Sequence, residues 1–368
     1  MTPRIRVLVV DDSVVVRRIL SDALTADPEL EVVGAAASGR LALAKLERTP
    51  CDVVTLDVEM PDTDGLETLD AIRRQYPKVV VIMCSGLTAR GAATTLAALA
   101  RGASDYVAKP ASSEGRHDLT LFLAELTGKV KALGRRSRPL GLFAGLGAPG
   151  AATPPRTSTR PGLGEAAAGP VSAVAIGVST GGPNALAVLV PNLAVGLDVP
   201  IFIVQHMPAL FTRMLAERLA VTSRMPVREA KQGETPEAGT VYIAPGNWHM
   251  RLAREGRRPV IALDQGAPEN SCRPAVDVLF ESVAAVYGAG TLGVVMTGMG
   301  KDGLRGAELI RAAGGRVLAQ DEATSVVWGM PGYVAAAGLA DDVLPLPELG
   351  AAIVRRVRTR SPSPRTAS

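Results

Sequence analysis

Short apolar runs alternate along the chain with stretches whose apolar residues recur every three or four positions. Residues 5–10, 32–37, 53–56, 79–83 and 106–108 are mostly apolar, as expected of strands covered on both faces. Between them lie helical stretches such as 14–26, where Val16, Ile19, Leu20 and Ala23 share one face. Five such pairs predict a doubly wound parallel sheet. The alternation stops near Leu133 and resumes at Val171. Strands are then expected at 171–178, 199–205, 240–244, 260–263, 292–296 and 316–319, and helices at 184–193, 210–220, 275–287 and 303–313. Segment 226–264 has several strands without long helices and reads as a hairpin excursion. From 134 to 170, 14 of 37 residues are Gly or Pro, a composition that cannot easily bury a core. As a flexible coil that segment would span about 35 Å. The predicted layout is an α/β domain at 1–130, a flexible linker at 131–170, a second doubly wound α/β domain at 171–350 and a disordered basic tail at 351–368.

Charge adds to this picture only locally. The net charge is +4, but seven Lys or Arg and no acid fall between Gly128 and Gly164, and five Arg and no acid after Leu349. The rest holds 28 basic against 36 acidic residues, a balance of −8. The basic surplus therefore sits in the linker and tail, and nucleic acid is not an expected partner. Aromatic residues are only 3%, which argues against ring-based grip on bases or sugars. The first residues form a strand-like run without signal-peptide features. No run nears the ~20 apolar residues a membrane helix needs, so direct membrane insertion is not expected. Cys51, Cys84 and Cys272 are odd in number and widely spaced, which speaks for neither disulfides nor a zinc cluster. The expectation is a reduced, cytoplasmic protein.

In an open parallel sheet, functional groups gather at the carboxyl ends of the strands. The first strand ends in Asp11 and Asp12, the third in Asp57, the fourth in Ser85 and the fifth in Lys109. Each alone is an ordinary cap or turn residue. Together, three converging carboxylates call for a divalent cation, and oxygen-only ligands suit magnesium. A lysine opposite would balance an incoming phosphoryl group. Residues 4–130 resemble a response-regulator receiver domain, which has a flavodoxin-like fold. The resemblance implies that Asp57 is the phospho-acceptor and that Asp11, Asp12, Asp57 and the backbone at Glu59 hold Mg2+. It further implies that Ser85 and Lys109 contact the phosphoryl group, that Tyr106 is the switch aromatic, and that a histidine kinase is the phosphodonor.

In the second half, Gly177-Val178-Ser179-Thr180-Gly181-Gly182 joins a buried strand to a helix and fits a nucleophile-elbow pattern. A glycine-rich turn with a capping serine explains it equally well. No P-loop lysine or dinucleotide glycine spacing accompanies it. Of three histidines, His117 reads as a surface residue, and His249 in the hairpin region could be structural or line a site. His206 ends the strand after the one ending in Ser179, close enough to act as its base, since neighbouring strand ends lie about 5 Å apart. Asp302, between an apolar strand and a helix, could orient that imidazole or simply cap the helix. The order serine, histidine, aspartate matches none of the three common chain orders.

The segments around Ser179, at Gln205-His206-Met207-Pro208, at Tyr242-Ile243-Ala244-Pro245-Gly246, at Arg273-Pro274-Ala275-Val276-Asp277 and from Thr297 to Gly303 resemble the catalytic domain of the chemotaxis protein-glutamate methylesterases. The receiver, linker and catalytic order resembles the whole family. That resemblance implies a Ser179, His206 and Asp302 triad, with the Met299 amide as an oxyanion donor. It implies a phosphorylation-activated serine hydrolase, needing no cofactor for its ester chemistry, that demethylates glutamate methyl esters and deamidates glutamines on methyl-accepting chemoreceptors. Two features depart from the family: the long, glycine-rich linker, and Asn270-Ser271-Cys272 in place of the basic residues that often precede Arg273-Pro274. Rival readings are a phosphorylation-switched adaptor with an idle esterase domain, and a methylesterase of a non-chemotaxis chemosensory pathway. A DNA-binding regulator would need a helix-turn-helix output domain, which the α/β pattern does not offer.

Overall fold

The computed structural model describes residues 3–60, 65–110, 116–136, 169–193 and 197–358. In chain order the first half contains β1 (Ile5–Val10), α1 (Val14–Thr25), β2 (Leu30–Ala36), α2 (Gly39–Arg48), β3 (Val53–Asp57), α3 (Gly65–Gln75), β4 (Val80–Gly86), α4 (Ala89–Ala100), β5 (Asp105–Lys109) and α5 (Arg116–Arg136). Ser13, Ser38 and Thr88 start α1, α2 and α4 by accepting from the amides of Val16, Leu41 and Gly91, the side-chain capping that short polar residues supply. The strands are parallel in the order β2-β1-β3-β4-β5, the flavodoxin-like arrangement expected. β3 is buried along its whole length because helices cover both faces of the sheet.

The second half contains β6 (Ala173–Val178), α6 (Gly182–Leu189), β7 (Ile201–Gln205), α7 (Ala209–Thr222), β8 (Val227–Glu229), β9 (Val241–Ile243), β10 (His249–Glu255), β11 (Arg258–Asp264), α8 (Val276–Tyr287), β12 (Thr291–Val295), α9 (Leu304–Ala312), β13 (Arg316–Gln320), α10 (Met330–Ala336), β14 (Asp342–Leu344) and α11 (Leu346–Arg358). Seven parallel strands run in the order β14-β13-β12-β6-β7-β9-β8, and β10 with β11 forms a separate antiparallel hairpin. The excursion expected over 226–264 is narrower: only β10 and β11 form it, while β8 and β9 add parallel strands to the main sheet. The chain leaves β6 toward β7 on one side and returns to β12 on the other, so a topological switch lies beside β6. Such a point opens a crevice at the strand ends.

Two expected boundaries move. The first domain does not end at 130, because α5 continues to Arg136 with Leu133 buried against the receiver core. The tail does not begin at 351 either. α11 runs to Arg358 and buries Leu349, Ala352, Ile353 and Val357, with Arg355 and Arg358 exposed and Arg356 paired with Asp342. Most of the expected linker, 137–168, and the last residues, 359–368, lie outside the described residues.

The halves pack against each other through α4, β5 and α5 on the receiver side. The Tyr106 ring stacks on Phe211 of α7, with centroids 4.9 Å apart and planes 9° apart. Asn184 of α6 donates to the Ala103 carbonyl at 3.3 Å, and Arg218 of α7 donates to the Leu96 carbonyl at 2.5 Å. One apolar cluster passes from Leu96 and Leu99 through Tyr106 and Phe211 to Leu215 and Ile203.

Candidate active site

Parallel register places the hydrolase candidates. β6 and β7 pair Val178 with Gln205, so Ser179 and His206 follow at adjacent strand ends. The His206 amide extends the ladder to the Val178 carbonyl at 3.3 Å. On the other side of β6, the Ser179 amide donates to the Thr297 carbonyl at 3.0 Å, which anchors the segment leading to Asp302. Gly181 turns the chain into α6 with φ +75°, where a Cβ would sit 2.4 Å from Val326. At Gly298 a Cβ would sit 2.9 Å from the Ser179 Cβ, so glycine lets this segment pass beside the nucleophile. The Gln205 amide donates to the carbonyls of Ser179 and His206 at 3.0 and 3.3 Å and braces both strand ends.

His206 and Asp302 meet: Nε2 lies 2.8 Å from Asp302 Oδ2. Asp302 does not cap α9, whose N-cap is Gly303. It accepts from the first amides of α8, Val276 at 2.7 Å and Asp277 at 3.0 Å, and from Gly303 at 3.0 Å and the Asn270 side chain at 3.0 Å. Asp277 reciprocates by accepting from Gly303 and Gly306 at the start of α9. Burial raises the Asp302 carboxyl pKa, but His206 and these amides outweigh it and hold it below the ordinary carboxylate range.

With Nε2 committed to Asp302, Nδ1 is the nitrogen left to act as base. In this arrangement the Ser179 hydroxyl is not bonded to it; Cys272 Sγ stands 3.5 Å away instead. Burial lowers the imidazole pKa, yet Asp302 and Cys272 reverse that and push it up to about 10. The site therefore holds a serine, an oriented imidazole and a carboxylate, but not yet the nucleophile–base bond, which commonly tightens only when substrate binds. Met299 is 38% exposed beside Gly298, and its side chain reaches α5, where a Cβ at Gly128 would stand 3.1 Å from Cε.

Cys272, Asn270 and Asp277 were not predicted as site residues. A serine-hydrolase pattern carries no signal for them, because they reach the site through a loop and a helix start far along the chain. His249 is buried, with Nε2 3.0 Å from the Ala267 carbonyl, and serves the hairpin. His117 lies in α5, with its side chain outside the described residues.

At the receiver's strand ends, oxygens of Asp11, Asp12 and Asp57 lie within 4.8 Å of one another. Asp11 and Asp57 are buried and Asp12 is exposed. Lys109 Nζ bridges Asp11 at 2.6 Å and Asp57 at 2.8 Å, and the Glu59 amide reaches Asp57 Oδ1 at 3.4 Å. Burial pushes the Asp57 carboxyl up to about 6, with Asp11 adding to it and Lys109 opposing it. Among the described residues the donors are all oxygen and too negative for one lysine to neutralise, which fits a hard divalent cation. Ser85 is fully buried at the end of β4, one residue beyond the pairing of Asp57 with Cys84.

Fold and site together define a response regulator whose output half is an α/β domain with a serine, histidine and aspartate at its topological switch. The receiver-domain family matches residues 7–119, and the CheB methylesterase family matches residues 174–353. The "Protein-glutamate methylesterase/protein-glutamine glutaminase" of Trichodesmium erythraeum is 49% identical over 96% of this chain and 99% of its own length. The protein of the same name from a Nocardioides species is 49% identical over 98% of each. The solved CheB methylesterase catalytic domain of Thermotoga maritima superimposes with a TM-score of 0.50, at 43% identity, over 50% of this chain and 98% of that one. The chain belongs to the CheB methylesterase family. Among the described residues, no helix is long and apolar enough to cross a membrane.

Proposed function

We propose that this chain is a cytoplasmic, phosphorylation-activated protein-glutamate methylesterase and glutaminase acting on methyl-accepting chemoreceptors. Ser179 Oγ attacks the side-chain carbonyl of a glutamate methyl ester while His206 Nδ1 takes its proton, and Asp302 steadies the imidazolium. The Met299 amide is the candidate oxyanion donor, an interaction worth about 3–4 kcal/mol where such donors have been removed. His206 then protonates departing methanol, and water hydrolyses the acyl-enzyme to glutamate. With glutamine the leaving group is ammonia. The chemistry needs no cofactor beyond these groups. The observation that carries the reading is the His206–Asp302 pair at 2.8 Å beside Ser179, at the adjacent strand end.

Regulation falls to the receiver. In this reading Asp57 accepts a phosphoryl group from a histidine kinase. Asp11, Asp12, Asp57 and the Glu59 backbone would hold Mg2+, which would neutralise charge on the transferring phosphoryl group. Lys109 and Ser85 then contact the phosphoryl oxygens. The support for inhibition is the docked interface: Tyr106 lies on Phe211, and α5 lies against Met299. Phosphorylation that draws Tyr106 and Ser85 toward Asp57 would loosen it. The test of the esterase is Ser179→Ala assayed for methanol release from methylated receptor. Release should vanish in the variant, and release near the wild-type rate would discard the triad.

A further inference from the structure

The hydrolytic scheme uses an imidazole and a carboxylate but gives Cys272 nothing to do. Yet Cys272 Sγ lies 3.5 Å from His206 Nδ1, and ligand-capable atoms of His206, Cys272 and Asp302 all lie within 4.8 Å of one another. Tetrahedral zinc, with Zn–N near 2.0–2.1 Å and Zn–S near 2.3 Å, holds its nitrogen and sulfur donors about 3.5 Å apart. The two side chains therefore already stand at ligand-to-ligand spacing. Asp302 completes the arrangement from behind. It holds Nε2, which leaves Nδ1 as the nitrogen facing the sulfur, as the outer carboxylate of a histidine–metal site does. Its two oxygens already accept five hydrogen bonds, so it is better placed as that outer partner than as a ligand. His206 and Cys272 are both only partly buried, which leaves an approach for an ion.

We propose that His206 and Cys272 form a two-residue site for a thiophilic divalent cation of the zinc class, and that loading it silences the esterase. Binding displaces the thiol proton and the Nδ1 proton of the charged imidazole to solvent, forms one metal–sulfur and one metal–nitrogen bond, and changes no oxidation state. Water fills the remaining positions. With the Nδ1 lone pair taken, His206 cannot accept the Ser179 proton. Thiolate and imidazole select this class over magnesium, while the all-oxygen cluster at Asp57 selects the reverse. The two halves thus sort cations by softness. Only the silencing clause rests on the proposed triad.

The experiment is a Co2+ titration of the metal-free full-length chain in excess Mg2+, followed by absorption, with Zn2+ as competitor. A thiolate-to-cobalt charge-transfer band is expected in the wild type, reversed by Zn2+ and lost in both Cys272→Ala and Cys272→Ser. The other two thiols, Cys51 and Cys84, are pushed up to about 12 by burial and are poor competitors. No band in the wild type, or an equal band in the variants, overturns the site. In the methanol assay, Zn2+ at about ten times its dissociation constant should lower the rate about tenfold. A rate untouched by bound zinc overturns the silencing. Should the chain release no methanol under any condition, the triad reading fails, while the cobalt band still decides the metal site.

Discussion

Replacing Asp302 with Asn probes the point where stability and catalysis share one side chain. The carboxylate is 2% exposed and accepts from His206, Val276, Asp277, Gly303 and Asn270. An amide offers one oxygen and one NH2 group, so at least two of those donors lose their acceptor whichever way it turns. If NH2 faces the Oδ2 side, it confronts His206 and the Val276 amide. The imidazole then answers by moving its proton to Nδ1, the wrong tautomer for receiving the Ser179 proton. If NH2 faces the Oδ1 side, the Asp277, Gly303 and Asn270 donors are orphaned and the imidazolium loses its counter-charge. Each unsatisfied buried donor costs about 1–3 kcal/mol, so the variant should lose about 1–3 kcal/mol in the first orientation and about 3–9 kcal/mol in the second. Methanol release should fall about 10⁴-fold, as when the acid of a comparable triad is made an amide. The assay is steady-state methanol release alongside denaturant unfolding of the same preparation. A rate within about tenfold of wild type, with an unchanged unfolding midpoint, would mean that Asp302 carries neither the imidazole nor the α8 start.

Further outcomes follow from the same geometry. The base must be neutral to act, and its pKa is raised to about 10 by Asp302 and Cys272 against the pull of burial. Activity should therefore climb toward alkaline pH and fall as pH drops through that value. Cys272→Ala, which removes one raising partner, should move the profile to lower pH; an unmoved profile would contradict the assignment. Gly128→Leu places a side chain where even a Cβ would meet Met299 at 3.1 Å. It should wedge α5 off the catalytic half and raise methanol release by unphosphorylated protein severalfold, with no cost in helix propensity. An unchanged basal rate would mean that this contact does not restrain the site.

Much of this was legible in the sequence because strand ends carry both folds' chemistry. Apolar runs located β1, β3, β6 and β7, and the residues that follow them named Asp11, Asp57, Ser179 and His206. Asp302 was legible as the partner of His206, which it meets at 2.8 Å, but not in what else it holds. The competing expectation was a cap on the helix beginning two residues later, whereas the carboxylate caps α8, which precedes it by some 25 residues. Such reciprocal capping with Asp277 is a tertiary event without a local pattern. Cys272 is hidden for a similar reason, since its loop, which follows the β10–β11 hairpin, meets His206 only through the tertiary fold. The continuation of α11 was missed because Arg355, Arg356 and Arg358 dominate the composition there. The i, i+4 pair of Leu349 and Ile353, followed by Val357, gives the buried stripe that outweighs them. β8 and β14 have three residues each, too few for a period to register.

The proposed switch couples Asp57 to Ser179 across the docked interface. The direct measurement is methanol release from purified methylated receptor by the full-length chain, with and without Mg2+ and a small phosphodonor, beside Asp57→Asn. Release that rises with phosphodonor in the wild type and stays at the basal rate in Asp57→Asn is the predicted result. Release that is the same in all four conditions would contradict the switch, and no release in any of them would contradict the esterase itself.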